Sequence, residues 1–302
     1  MTKTILYPLA SVLFYALLAY YPQYAIIGAV FSPLLLLVYL GSEKRNKYSD
    51  LMLGAAIALT AGISIITTGL YVISVAFTAV FIFKFLHKGH RDIWFPVTVV
   101  PLLVFIVMAA IIYGIPDYRN TLINVAEQGI KSFIETVKAS KGPMSNDPYF
   151  LNIEKQSRLA AQSVVLIFPA VNYILTAFCT HIAFSLYTKL KRIEINRFRL
   201  PDNLVWILIL GFALVFVKQT MAKHAGLNII LIMMTLYAFQ GFDIVSYWMT
   251  KFKFIPVIKA IIFIFIFSEP PFIIFIALLG LFSVWFNLYG RQENDREQTP
   301  SD

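Results

Sequence analysis

The chain has 302 residues, of which 59% are hydrophobic and only 14% charged. A soluble domain carries about 25% charged residues, because a globule must cover its surface with polar groups. The composition therefore excludes a cytosolic enzyme and a disordered chain, and the single Cys179 excludes a disulfide scaffold and a cysteine metal cage. What remains is an all-α, polytopic transmembrane helical bundle. The formal net charge of +9 fits basic residues that flank membrane spans on the cytoplasmic side. With no run of five like charges, it does not indicate nucleic acid.

Residues 4–42 carry no charged side chain and no histidine. The apolar run continues too far for a cleaved signal peptide, so the first helix is read as retained. One span needs about 20 residues, and Tyr21-Pro22-Gln23 splits this run into helices at about 5–20 and 24–41. Pro22 suits a turn because it lacks an amide donor and disfavours helix just before it. Residues 51–83 form a second uncharged run, too long for one span. A tight turn at Thr67-Thr68-Gly69 divides it into about 50–66 and 69–86. Residues 93–113 make a fifth span and close an N-terminal membrane region, 1–113.

The character changes at 114–158, a polar external loop punctuated by Gly142-Pro143 and Asp147-Pro148. Within it, Leu122, Ala126, Ile130, Phe133, Ile134 and Val137 recur at helical spacing, with Glu127, Lys131, Glu135 and Lys138 largely between them. That pattern predicts an amphipathic helix, lying on the membrane surface or covering the opening of a cavity. A long helix at 159–188 opens the C-terminal membrane region, 159–290. Further apolar stretches follow at about 203–219, 226–248, 254–268 and 272–290, ahead of a short cytoplasmic tail, 291–302. Ten segments result, and eight or nine if 50–86 or 254–290 folds differently.

Alternating ten spans with both termini inside places most Lys and Arg at the cytoplasmic ends. These include Lys44, Arg45 and Lys47, then Lys84, Lys88 and Arg91, and the group Lys189 to Arg199. The outer Lys and Arg fall mainly in the long 114–158 loop, where acids offset them, so the positive-inside rule is satisfied. Trp94, Trp206, Trp248 and Trp285 lie mostly near predicted span ends, where aromatic anchors belong.

No HExxH, phosphate-binding loop or nucleophile elbow occurs, so neither a cofactor nor an enzymatic activity is expected. His87 and His90 are three apart in an interfacial loop, and Cys179 and His181 point to different helix faces, so no metal site is expected. Ionisable groups at membrane depth are costly and tend to face the bundle interior. Asp243 is the foremost. Tyr237, Gln240, Asp243 and Tyr247 recur at three- and four-residue steps and form one polar stripe on 226–248, with Gly241 beside it. Gln162, Asn172, Thr176 and Thr180 make a comparable stripe on 159–188, with Pro169 available to kink that helix. The two stripes either line a common cavity or hydrogen-bond between helices. Glu269 is expected to cap a turn at the outer surface. Lys259 is expected to snorkel to the cytoplasmic face or pair with Asp243.

Three segments carry a resemblance: LPDNLVW (200–206), LNIILIMMTLYAFQGFDIVSYW (227–248) and LGLFSVWFNLYGR (279–291). A Pro shortly before a Trp, a Tyr-x-x-Gln-Gly, and a closing Leu-Gly-Leu helix ending in Arg resemble the YybS-like family of uncharacterised bacterial membrane proteins. The resemblance implies the cytoplasmic (inner) membrane of a bacterium and leaves the activity open. The family's hydropathy is similar to that of the S components of energy-coupling-factor vitamin transporters. The expectation is therefore a component that binds or transports a small amphiphilic or vitamin-like solute. Its site is Asp243, Gln240 and Tyr247 together with Asn172 and Thr176. A membrane protein partner would supply energy. The alternative is a non-enzymatic organiser of a membrane protein complex, docking partners through the amphipathic helix and the basic 189–199 loop. A third, less favoured reading is an intramembrane enzyme acting on lipid, which lacks any acid–base pair in a common segment.

Overall fold

The computed structural model describes residues 2–20, 25–43, 47–63, 68–69, 71–139, 152–153, 155–286 and 288. Among them every regular element is helical. The α-helices are α1 (Thr2–Tyr20), α2 (Ala25–Leu40), α3 (Lys47–Ile63), α4 (Phe77–His87), α5 (Trp94–Gly114) and α6 (Pro116–Ala139). The C-terminal half adds α7 (Ser157–Lys191), α8 (Leu204–Val215), α9 (Thr220–Lys251), α10 (Pro256–Ser268) and α11 (Pro270–Phe282). A π-helical turn, Val72–Ala76, leads into α4. The turns at 21–23, 142–143 and 147–148, most of the 67–69 turn and the 291–302 tail lie outside the described residues, and Thr68 and Gly69 are helical.

The uncharged runs of the sequence reappear as helices because a chain in hydrocarbon must satisfy its own backbone. Their lengths are unequal. α5, α7 and α9 are long and apolar enough to cross a membrane, and the pair α10–α11 is a fourth candidate. That pair is bent by 108°. α8, with 12 residues, reaches only about 18 Å at 1.5 Å per residue. Glu269 stands at the α10–α11 bend with extended backbone, φ −123° and ψ 104°. It caps α11 through its carbonyl, which accepts from Phe272 N–H at 3.0 Å, and not through its side chain.

α7 is the central post, packed against α2, α5, α6 and α9. Its Tyr173, Ala177, Ala183 and Phe184 are fully enclosed. Between helices in a membrane, polar clasps and close packing replace the hydrophobic drive. α1 and α2 are clasped by Ser11 and Ser32, each hydroxyl donating to the other's carbonyl at 2.8 Å. Tyr71 adds its hydroxyl to Ser11 at 2.9 Å. α9 meets α8 at Gly226, where a Cβ would press on Gly211 O at 2.7 Å, and α11 at Gly241 and Gly280, where the facing backbone leaves no room for a side chain.

The segments carrying the basic clusters gather at one end of the bundle. Lys191 Nζ donates to Gly41 O at 2.9 Å, joining the end of α7 to the end of α2. Asn196 N–H donates to Arg91 O at 3.0 Å and its side chain to Asp92 Oδ1 at 2.8 Å, joining the 192–203 segment to the α4–α5 loop. The Arg197 guanidinium lies 4.1 Å from the Tyr247 ring centroid, bringing in the end of α9. Lys259 Nζ donates to Thr250 Oγ1 at 2.9 Å, so this lysine reaches the same end.

α6 is docked at the opposite end, against α5 and α7. Ile123 and Ile134 are buried, with Leu122, Ala126 and Ile130 packed beside Ile112, Ala161 and Leu166. Phe133 stays 61% exposed, on the outer side of the helix. Glu127 joins the docking face, with Lys131 Nζ at 2.7 Å and Arg158 Nη1 at 3.2 Å. The hydrogen bond from Lys131, with help from Arg158, holds its carboxyl below the ordinary glutamate range. A lowered folded pKa means this contribution is present above the unfolded value and is lost as pH falls through the folded one. The protection factors of α6 amides, with the intrinsic pH dependence of exchange divided out, should thus stay constant from neutral pH to about pH 4.5 and fall below it. In Glu127→Gln that acid-linked step should vanish.

Candidate functional site

The two polar stripes face different cavities. On α7, residues 172, 176 and 180 lie about opposite residues 181, 185 and 188 at 100° per residue. Asn172, Thr176 and Thr180 line a cavity of about 150 Å³ shared with Tyr15, Ser74, Thr78 and Met108, toward α1, α2, α4 and α5. There Asn172 Nδ2 donates to Phe168 O at 3.1 Å and Thr176 Oγ1 to Asn172 O at 2.8 Å, both along their own helix. Asp243 and Tyr247 lie on the other side of α7. The sequence expectation that all five residues share one pocket is thus corrected: Asn172 and Thr176 are separated from Asp243 by the body of α7.

Gln240 has a different task. It is 2% exposed and fully engaged. Its Oε1 accepts from Leu200 N–H at 2.7 Å, and its Nε2 donates to Gly280 O at 3.1 Å and Ser283 Oγ at 2.5 Å. It ties the 192–203 segment, α9 and α11 together. The three segments that carry the family resemblance meet at this joint.

A larger cavity, about 470 Å³, opens between α7, α9 and α10. Its wall is aromatic: Phe178, Phe239, Phe242, Phe263 and Phe267. Phe242 stacks on Phe267 at 5.0 Å and Phe178 meets Phe267 edge-on at 6.2 Å. Its polar groups are His181, Ser185, Thr188 and Lys189 from α7 with Asp243 and Ser246 from α9. The His181 ring lies flat on Phe239, 4.9 Å between centroids. His181 Nδ1 is buried without a hydrogen-bond partner among the described residues. Such a group costs free energy that a ligand donor or acceptor would recover.

Asp243 and Ser246 also line a second cavity of about 420 Å³, with Arg197, Tyr247, Thr250 and Lys251. The two spaces therefore adjoin at Asp243, an apolar chamber on one side and a basic, hydroxyl-rich one at the charged end of the bundle on the other. Chemically this suits an amphiphile with an apolar body and a polar or anionic head. The sequence signal that would have found His181, Ser185 and Lys189 is their recurrence at three- and four-residue steps with Phe178. Cys179 and His181 face different cavities. His87 stacks on Phe83 and His90 on Phe85. No cluster of three metal-ligating side chains occurs among the described residues.

A family model described as "Predicted membrane protein (DUF2232)" matches residues 9–283. No curated protein and no solved structure matches the chain.

Proposed function

The chain belongs to the DUF2232 family of predicted membrane proteins, and we propose that it is a binding component for a small amphiphilic solute in a bacterial inner membrane. The observation that carries this reading is the pair of adjoining cavities at Asp243, one walled by phenylalanine and one by Arg197, Tyr247 and Lys251. The apolar body of the ligand lies among Phe178, Phe239, Phe242 and Phe267. Asp243 and Ser246 accept or donate hydrogen bonds at its middle, and Arg197, Lys189 and Lys251 attract an anionic head. The protein acts by binding and hand-over, not by catalysis. Any energy for transport comes from a partner protein, in the manner of the vitamin-transporter S components, whose hydropathy is similar to that of the YybS-like family that the C-terminal segments resemble. The basic end faces the cytoplasm, with both termini on that side, because Lys and Arg are retained on the inner side of a membrane.

The test is native mass spectrometry of the protein extracted gently from its own membrane. The expected result is a reproducible small-molecule adduct, reduced at least about tenfold (about 1.4 kcal/mol) in Asp243→Ala. A second variant, Ile182→Trp, fills the aromatic chamber without touching a charge and should remove the adduct as well. An adduct unchanged in both variants would place the ligand elsewhere. A co-purifying protein with no adduct in the wild type would favour the organiser of a membrane complex instead.

A further inference from the structure

A second site lies at the α4–α5 corner, remote from Asp243 in sequence and built from other helices, and it rests on the reading above only in placing this end of the bundle at the cytoplasmic face. α4 ends in a Schellman motif. Gly89 takes φ +85°, its N–H donates to Leu86 O at 3.0 Å, and His90 N–H donates to Phe85 O at 3.3 Å. The left-handed residue folds the chain back over the last turn and sets the His90 ring on Phe85, 5.0 Å between centroids.

Phe85 is the end of a ladder. Phe77, Phe81 and Phe85 recur every four residues on one side of α4, with ring centroids 5.8 and 6.4 Å apart. Phe95, at the start of α5, closes on Phe81 at 6.2 Å and on Phe85 at 5.7 Å. Phe77 and Phe95 are exposed. A cavity of about 480 Å³ lies over this ladder, bounded by Phe81, Phe85, Trp94 and Phe95 and by Lys84, Lys88 and His90.

The charges there are not spent internally. Among the described residues the Lys84 and Lys88 ammonium groups make no ion pair or side-chain hydrogen bond. Asp92, the acid at the rim, accepts from Asn196 Nδ2 at 2.8 Å. Arg91 is turned inward onto the carbonyls of Leu86 and His90, at 3.3 and 3.4 Å.

We infer that this corner binds one anionic phospholipid, its phosphate held by Lys84, Lys88 and His90 and one acyl chain laid along the Phe77–Phe81–Phe85 ladder. Basic pockets at the cytoplasmic ends of spans recognise anionic headgroups by charge. A soluble anion would use the lysines and leave the ladder unused. A zwitterionic lipid would use the ladder but bring its own cation against the lysines. Only an anionic lipid meets both features.

The experiment titrates the full-length protein in detergent with phosphatidylglycerol, phosphatidylethanolamine or glycerol phosphate and counts adducts by native mass spectrometry. Phosphatidylglycerol should bind first, and Lys84→Gln with Lys88→Gln should weaken it about 30-fold. Lys218→Gln with Lys223→Gln, at the opposite end, should leave it unchanged. Phe81→Ala should weaken the lipid without that loss of charge. Equal binding of the two lipids, or an unaffected lysine double variant, would overturn the inference. Glycerol phosphate binding as tightly as the lipid would overturn it too, by reducing the corner to an anion site. Both lysine pairs are exposed, so size-exclusion profiles should stay those of the folded protein.

Discussion

Gly280→Ala should destabilise the solubilised protein by about 3 kcal/mol, at the upper end of overpacking costs, and lower its thermal midpoint by several degrees. The reason is that α11 and α9 touch backbone to backbone. A Cβ on Gly280 would overlap the carbonyl oxygen of Tyr237 and lie 2.8 Å from Gly241 N and 2.9 Å from Tyr237 C. The contact is mutual, since a Cβ on Gly241 would overlap Ile276 O. None of these obstructing backbone atoms can rotate away, so the helices themselves must separate. Separation also stretches the bond from Gln240 to Gly280 O and with it the hold on Leu200, so the 192–203 segment should loosen. Circular dichroism melts would show the stability loss, and hydrogen exchange at 196–203 would show the second effect. Gly129→Ala is the matched control. It sits on the exposed side of α6 with nothing within 4 Å of its Cβ, so it should be neutral or stabilise by about 0.5–1 kcal/mol. If Gly280→Ala melts like the wild type, the close crossing is wrong.

The positions of the helices were legible because charge-free runs leave the backbone no alternative in lipid. The expected span 93–113 is α5, Trp94–Gly114, and the expected 159–188 is α7, Ser157–Lys191. The turn at Glu269 was legible as well, because the break between the expected stretches 254–268 and 272–290 is where α10 and α11 meet; spacing gave no angle for the 108° bend. The site was legible in part. Spacing places Gln240, Asp243 and Tyr247 on one face of α9, but it does not say what that face meets at each level. At Gln240 it meets α11 and Leu200, and one turn on it meets two cavities. For α7 the stripe of Asn172, Thr176 and Thr180 was correct as a face and wrong as a partner for Asp243. A central helix has polar residues on two sides, and local spacing carries no information on which neighbour lies on which side. Lys189 and His181 were not assigned to the site because one was read as a flanking cytoplasmic charge and the other was weighed only as a metal partner of Cys179.

Asn228→Leu should be the most damaging single change on α9, costing about 2–4 kcal/mol, although Asn228 belongs to neither polar stripe. Pro169 lies inside α7 and cannot donate to the carbonyl four residues earlier. The next backbone pair along α7 is Leu166 C=O and Ala170 N–H, which would bond each other in a regular helix. The Asn228 amide bonds to both of these groups. Its Oδ1 accepts from Ala170 N–H at 3.0 Å, and its Nδ2 donates to Leu166 O at 2.8 Å. Tyr113 Oη donates to the same Leu166 carbonyl at 2.9 Å and lies 3.2 Å from Asn228 Nδ2. One buried side chain, 2% exposed, thus supports the proline-containing turn of α7 from α9 and joins it to α5. Leucine has similar bulk and no polar atom, so the variant isolates the hydrogen bonds from the packing. Without water at this depth the bonds lost at Ala170 N–H and Leu166 O cannot be replaced by solvent, and only the carbonyl keeps a partner, Tyr113 Oη. Hydrogen exchange should therefore rise at Ala170 before the helix melts. Tyr113→Phe, which removes a single donor, should cost only about 0.5–1.5 kcal/mol. The double variant should cost less than the sum, because both side chains serve one carbonyl. Full additivity would mean that Asn228 and Tyr113 act separately, and an unchanged exchange rate at Ala170 would remove Asn228 from the support of α7.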